Sequence, residues 1–121
     1  MDKSKYFDDL GNENSSKNTF SGNALEIGFG TIANIKMTRK KGFSCYGLDV
    51  AEEAVGRGRY FLDKENIKDI SLQKWTPYEL PFKNDKFSLV YGLQSLYYNL
   101  EIEKVIDEVY RVLKPGGTFL F

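Results

Sequence analysis

The 121-residue chain contains no histidine and a single cysteine, Cys45. The absence of histidine excludes serine–histidine triads, zinc sites of the HExxH type and imidazole general bases. A lone cysteine excludes an internal disulfide and a cysteine-based metal cluster, so we predict no metal site. Because Cys45 falls in an apolar run typical of a buried strand, we expect its thiol to be an inert part of the core.

The sequence also has no excess of charge of one sign and no long apolar run. Seventeen Lys and Arg residues balance seventeen Asp and Glu residues, which leaves no basic footprint for a nucleic acid. No apolar run approaches the roughly 20 residues of a membrane helix, and the polar N-terminus lacks the apolar core of a signal peptide. We therefore expect a cytoplasmic protein that binds neither nucleic acid nor membrane.

From Ala24 onwards, short apolar runs alternate with helical patterns, whereas residues 1–22 are polar and are predicted to form a flexible N-terminal arm. This alternation predicts a single α/β domain over residues 23–121, with a doubly wound parallel sheet and helices on both faces. The sequence ends inside an apolar run, so we expect a sheet truncated after its fifth strand, with an edge exposed for pairing in a homo-oligomer. Predicted strands are 24–27, 44–48, 69–74, 87–91 and 118–121; predicted helices cover about 32–41, begin near 51, and cover about 101–113.

A glycine-rich turn follows the first predicted strand. Gly28 and Gly30 permit a tight turn and a close approach of ligand to backbone, and the next helix begins with unpaired N–H groups. Asp49 lies at the end of the second predicted strand, where a carboxylate can accept hydrogen bonds from both hydroxyls of a ribose. Together these features indicate a nucleoside site; the alternative is a plain turn with an aspartate that caps a helix.

The type of nucleoside depends on Glu26, two residues before the first glycine. The spacing of Gly28, Gly30 and Ala33 also fits the dinucleotide pattern G-x-G-x-x-G/A. We expect the Glu26 carboxylate to point into the ligand crevice, where it would repel a pyrophosphate and attract an ammonium group. S-adenosylmethionine carries an amino group and a sulfonium but no phosphate, so charge favours it, and a nicotinamide-dependent oxidoreductase fragment is the less favoured alternative.

Four segments resemble the class I S-adenosylmethionine-dependent methyltransferases, and most closely their small-molecule "type 11" branch. They occur in the order and spacing of that family, and the stretch Arg-Val-Leu-Lys-Pro-Gly-Gly is the most specific: Leu25–Thr31, Gly47–Val50, Glu79–Phe82 with Phe87–Val90, and Tyr110–Gly117. The resemblance covers residues 24–121 and about the N-terminal two-thirds of the family's domain. It implies a Rossmann-like sheet, here with five of seven strands, S-adenosylmethionine as cofactor, and methyl transfer to a small-molecule acceptor.

The resemblance also implies roles for single positions. Glu26 would bind the amino group of the cofactor and Asp49 the ribose hydroxyls. The other implied cofactor-binding residues are the turn residues Gly28, Phe29, Gly30 and Thr31, the adenine-side residues Val50 and Thr76, and Gly92 with Leu93 below the sulfur. Two positions depart from the family pattern. Ile32 replaces a glycine and is expected to fill space near the cofactor's carboxylate, and Thr76 replaces an acid that usually binds the adenine amine.

Methyl transfer from a sulfonium needs alignment more than a base, because the leaving group is already activated. If a base is required, Tyr97 and Glu79 are the candidates; the alternative for Tyr97 is aromatic packing at the cleft mouth, and the alternative for Glu79 is a solvated loop charge. Trp75 either stacks near adenine or packs at a strand end. Because of Ile32, Thr76 and the missing strands, a non-catalytic remnant of the same fold stays an alternative.

Overall fold

The structure, a computed structural model, describes residues 20–92 and 100–120. This part of the chain contains five strands and three helices. In chain order the elements are β1 (Asn23–Ile27), α1 (Ala33–Lys40), β2 (Ser44–Asp49), α2 (Glu52–Lys64), β3 (Ile70–Lys74), β4 (Phe87–Gly92), α3 (Ile102–Val112) and β5 (Leu113–Leu120).

The five strands form one parallel sheet in the order β3-β2-β1-β4-β5. The chain winds outwards from β1 through β2 to β3, and then returns to the other side of β1 with β4 and β5. The direction of winding therefore reverses between β1 and β4. In open parallel sheets the ligand crevice lies beyond the carboxyl ends of the strands at this reversal, and we use "crevice" for that space.

Helices cover both faces of the sheet, as the alternation of apolar runs predicts. On one face, Ile35 of α1 and Leu62 of α2 pack in a core with Ala24 and Leu72. On the other face α3 packs over β1 and β4 through three fully buried valines at helical spacing, Val105, Val109 and Val112. The predicted doubly wound α/β sheet is thereby confirmed.

The transition from α3 to β5 differs from the prediction. The helix ends at Val112 and the strand begins at Leu113 rather than at residue 118. Lys114–Gly117 instead forms an irregularity inside β5, because Phe87 pairs with Leu113 whereas Leu89 pairs with Thr118. The helix thus ends two residues before Lys114, and Leu113 is already extended. Lys114 precedes proline and is therefore also disfavoured in the helical conformation. Among the described residues no strand pairs with the outer edge of β5, and its pairing in a homo-oligomer stays a prediction.

The described part of the chain begins within the predicted arm. The backbone N–H of Phe20 donates to the carbonyl of Lys41 over 2.7 Å, and its ring stacks on Phe43 with centroids 5.7 Å apart. Residues 20–22, assigned to the arm from the sequence, therefore contact the domain, whereas residues 1–19 lie outside the described residues. None of the helices in residues 20–92 and 100–120 has the length and apolar character needed to cross a membrane.

Candidate functional site

The turn after β1 has the backbone conformation that its glycines permit. Gly28 and Gly30 have φ values of 77° and 57°, in the left-handed region that side chains disfavour. The N–H of Gly28 donates to the carbonyl of Leu48 over 2.7 Å, which fixes the turn to the end of β2. Gly30 is exposed, and the position of its absent Cβ has no neighbour within 4 Å, so the turn presents bare backbone to solvent.

The side chains next to these glycines point to different places. Phe29 is 5% exposed and packs in the core between the sheet and the two helices α1 and α2, so only its backbone contributes to the turn. Thr31 is exposed at the start of α1. Ile32 has a φ of −91° and packs towards α2, where its Cγ2 lies 3.1 Å from the place a Cβ on Gly58 would take. The half-buried side chain of Ile32 also lines the same open cavity as Gly30 and Thr31, so the expectation that it fills space near the cofactor's carboxylate stays a prediction.

Asp49 joins the ends of β1 and β2. Its Oδ2 accepts a hydrogen bond from the N–H of Gly30 at 2.8 Å, and its Oδ1 accepts one from the N–H of Ala51 at 3.0 Å. The N-cap residue of α2 is Ala51, and its N–H is the one that Asp49 accepts, so Asp49 is bonded both to the start of α2 and to the turn. Each carboxylate oxygen has a second lone pair, so both can accept a further hydrogen bond from a ligand.

Glu26 is a buried carboxylate directly behind the turn. It is 3% exposed and lies on the α1 side of the sheet, opposite Gly47 of β2 and Tyr91 of β4 in the strand pairing. Burial raises the pKa of the Tyr91 hydroxyl, and the negative charge of Glu26 raises it further. The Tyr91 hydroxyl lies 2.9 Å from Oγ1 of Thr38 on α1. Glu26 therefore belongs to a buried polar group two residues from the turn.

Sequence reasoning did not single out Tyr91, the strand neighbour of Glu26, or Thr38, whose hydroxyl contacts that of Tyr91. Both are fully buried polar side chains in otherwise apolar surroundings. The available signal was a polar residue on the inner side of a helix and a tyrosine in a central strand. That Tyr91 lies beside Glu26 follows only from the parallel register of β1 and β4, and Thr38 contacts the hydroxyl of Tyr91.

The loop after β3 lies beside Asp49. The N–H of Trp75 donates to the Asp49 carbonyl at 2.7 Å, so exposed Thr76 comes to the same sheet edge as Val50, which is 43% exposed. Trp75 itself is 2% exposed and packs in the core on the α3 side of the sheet. Of the two roles expected for Trp75, the structure thus shows packing at a strand end and not stacking near adenine. Glu79, the candidate base, is exposed, and its N–H closes a turn onto the carbonyl of Thr76 at 3.2 Å.

Gly92 lies at the bottom of the crevice, at the end of β4 where it pairs with β1. It pairs with Ile27 and has a φ of 108°, and a Cβ at this position would lie 2.3 Å from the Ile27 carbonyl oxygen. Only glycine fits that approach. The two remaining candidates, Leu93 for cofactor binding and Tyr97 for proton transfer, lie outside the described residues. The structure thus brings together Gly28, Gly30, Asp49, Val50, Thr76 and Gly92 at the carboxyl ends of the strands, with Glu26 behind them.

Comparisons with known proteins match this architecture. A family model described as a methyltransferase domain covers residues 25–121. Sterol 24-C-methyltransferase from Saccharomyces cerevisiae is 29% identical over 97 residues, which are 78% of this chain and 25% of that protein.

Solved structures extend the likeness to the fold. The YcgJ protein from Bacillus subtilis has a TM-score of 0.74 at 25% identity, over 94% of this chain and 50% of that one. A Haemonchus contortus phosphoethanolamine N-methyltransferase in complex with S-adenosyl-L-methionine has a TM-score of 0.77 at 20% identity, over 84% of this chain and 24% of that one. The chain therefore spans a quarter of the yeast relative and half of the Bacillus structure.

Proposed function

We propose that the chain, which belongs to the methyltransferase domain family, binds S-adenosylmethionine. The cofactor would bind at the turn formed by Gly28 and Gly30, and the chain would take part in methyl transfer from it. The family and the Rossmann-like fold inferred from the sequence motifs are both confirmed by these likenesses. The cofactor, its contacts and the acceptor are our proposals.

The observation that carries the proposal is the position of the Asp49 carboxylate. It lies against the exposed turn, held by the N–H groups of Gly30 and Ala51, with a free lone pair on each oxygen. A ribose placed over the turn would donate its two hydroxyls to these oxygens. Because the carboxylate is 8% exposed and already fixed, little side-chain entropy is lost when the ribose binds.

Charge favours a cofactor with a cationic end over a pyrophosphate. Asp49 places its carboxylate against the turn, and Glu26 adds a buried carboxylate two residues before Gly28, where charges interact more strongly than in water. A pyrophosphate over this turn would meet both negative charges. The amino group and sulfonium of S-adenosylmethionine would be attracted instead, which disfavours a nicotinamide-dependent oxidoreductase.

Methyl transfer requires the protein mainly to align the methyl donor with its acceptor. When bound, S-adenosylmethionine supplies a methyl group on a sulfonium that leaves as a neutral thioether. The chain's own residues bind and orient it: the turn below the methionine part, Asp49 at the ribose, Val50 and Thr76 on the adenine side, and Gly92 at the crevice floor. If the acceptor carries a proton, exposed Glu79 is a candidate to take it, together with Tyr97.

We further propose a small-molecule acceptor. The formal net charge is zero, and the Asn-Pro-Pro-Tyr and Pro-Cys motifs of enzymes that methylate amines in DNA and protein or cytosine C5 are missing from the sequence. The names of the similar proteins, a sterol and a phosphoethanolamine methyltransferase, point to the same class of acceptor.

Calorimetric titration of the complete protein tests the proposal. S-adenosylhomocysteine should bind with a stoichiometry of one, and NADH should give no heat of binding. Folded protein that fails to bind S-adenosylhomocysteine supports a non-catalytic remnant instead, and saturable NADH binding supports an oxidoreductase.

A further inference from the structure

Glu108 and Arg111, one turn apart on α3, hold both backbone polar groups of Leu80. Oε1 of Glu108 accepts the N–H of Leu80 at 2.9 Å, and Nη2 of Arg111 donates to the carbonyl of Leu80 at 3.0 Å. The two side chains also bind each other, with Nε of Arg111 2.6 Å from Oε2 of Glu108. One residue of the loop between β3 and β4 is thus held from two sides by an ion pair.

All five N–H donors of the Arg111 guanidinium are used. Besides the bonds to Leu80 and Glu108, Nη1 donates to the carbonyl of Phe82 at 2.8 Å and to Oδ1 of Asn84 at 2.9 Å. The bond to Arg111 is the main cause that lowers the pKa of Glu108, and the bond to Leu80 lowers it further. Such a planar, fully bonded fork fixes geometry in a way that a lysine ammonium cannot reproduce.

The held segment is continuous with the adenine side of the proposed site. At its start, Trp75 is tied to the carbonyl of Asp49 at 2.7 Å. The N–H of Glu79 then closes a turn onto Thr76 at 3.2 Å, and Leu80 follows directly. Thr76 therefore lies between two anchors, the end of β2 on one side and the Glu108–Arg111 pair on the other.

We propose that Glu108 and Arg111 are positioning residues for the cofactor: they hold residues 75–82 against the end of β2, so that Thr76 and its neighbours form a fixed wall for the adenine. The inference rests on the proposed function, because it assumes that the adenosyl group lies beside Asp49. The pair touches neither the cofactor nor the reacting atoms and acts through the backbone of Leu80.

The test compares Arg111→Lys and Glu108→Gln with a matched variant, Arg39→Lys. Arg39 forms an ion pair with Asp69 at the surface, with a similar exposed fraction of its side chain (35% against 32% for Arg111), and makes no described contact with the loop. Arg111→Lys should raise the dissociation constant of S-adenosylhomocysteine about 5- to 30-fold, which is less than the roughly 10- to 140-fold that hydrogen bonds to a charged group are worth, because Arg111 acts on the ligand only through the loop. Glu108→Gln keeps an oxygen for the Leu80 N–H, so its loss should be smaller, and Arg39→Lys should stay within about twofold of wild type.

Two readouts separate positioning from a general loss of stability. Arg111→Lys should weaken the binding of 5′-methylthioadenosine, which lacks the amino acid part, by the same factor as that of S-adenosylhomocysteine. The stoichiometry should be unchanged, with both titrations made at a temperature below the unfolding transition. Trp75, the only tryptophan, should shift its emission to the red in Arg111→Lys and not in Arg39→Lys.

The outcomes are distinguishable. In one outcome, wild type and Arg111→Lys bind S-adenosylhomocysteine equally well, although hydrogen exchange at the Leu80 amide is faster in the variant. This result overturns the positioning role and leaves the proposed function intact. Folded wild-type protein that binds neither ligand overturns both.

Discussion

The carboxylate of Asp49 lies 2.8 Å from the backbone N–H of Gly30, and this bond connects the end of β2 to the turn after β1. The same carboxylate satisfies the N–H of Ala51 at 3.0 Å. The acid proposed to bind the ribose therefore also holds the turn in place, so ligand binding and local stability depend on one side chain.

Replacing Asp49 should impair both properties. Asp49→Ala removes the acceptor of the N–H groups of exposed Gly30 and half-buried Ala51. At about 0.5–1.5 kcal/mol for each lost hydrogen bond, we expect the free energy of unfolding to fall by about 1–3 kcal/mol in urea titrations. The dissociation constant of S-adenosylhomocysteine should rise at least about tenfold in calorimetry. Asp63→Ala removes an exposed carboxylate on α2 and should change neither value. Unchanged affinity in Asp49→Ala would favour the non-catalytic remnant.

The charge of Glu26 should matter only for ligands with an amino group. Glu26→Gln keeps the size of this buried side chain and removes its charge. We expect about tenfold weaker binding of S-adenosylhomocysteine and an unchanged dissociation constant for 5′-methylthioadenosine, which has no amino group. Equal losses for both ligands would mean that Glu26 supports the turn and does not bind the amine.

The parts of the site that the sequence predicted are those set by local patterns. Gly28 and Gly30 follow an apolar strand and take the positive φ values that a tight turn needs. Asp49 ends the next strand, and parallel neighbours bring their carboxyl ends to one edge of a sheet. Strand ends and glycines thus predicted the turn and its acid without knowledge of the packing.

The parts that were missed depend on distant contacts. The direction of Ile32 is decided by the space that Gly58 leaves on α2, and the burial of Trp75 by the valines of α3. Arg111 binds a loop residue 31 positions away. No local periodicity predicts such contacts, because they require the relative placement of elements to be known.

A methyl side chain should destabilise the protein at position Gly92 and stabilise it at position Gly56. A Cβ on Gly92 would lie 2.3 Å from the Ile27 carbonyl at a φ of 108°, so Gly92→Ala should lower the free energy of unfolding by about 2–4 kcal/mol. Gly56 lies in α2 with no atom within 4 Å of its Cβ position, so Gly56→Ala should stabilise by about 0.5–1 kcal/mol. Urea unfolding measures both, and a neutral Gly92→Ala would contradict the close approach of β1 and β4.

Stability should fall at alkaline pH because of Cys45. Burial, with a smaller contribution from the charge of Asp69, raises the pKa of its thiol to about 12. An unfolded chain ionises this thiol near pH 8.5. The stabilisation from the neutral thiol is therefore complete below pH 8.5 and is lost as the pH rises towards 12, by about 1.4 kcal/mol per pH unit.

Cys45→Ala removes this contribution and serves as the comparison. Between pH 9 and 10.5 its free energy of unfolding should fall less steeply than that of wild type, while Tyr91, whose pKa is raised mainly by its own burial, contributes in both proteins. Parallel pH profiles would show that the thiol is not protected in the folded state.

A crystal structure of the complete protein with S-adenosylhomocysteine is the most direct measurement of the central claim. We predict that both ribose hydroxyls lie within hydrogen-bond distance of the Asp49 carboxylate, with the amino group on the Glu26 side of the turn at Gly28 and Gly30. An adenosyl group bound away from Asp49, or a pyrophosphate seated on the turn in a parallel soak with NADH, would contradict it.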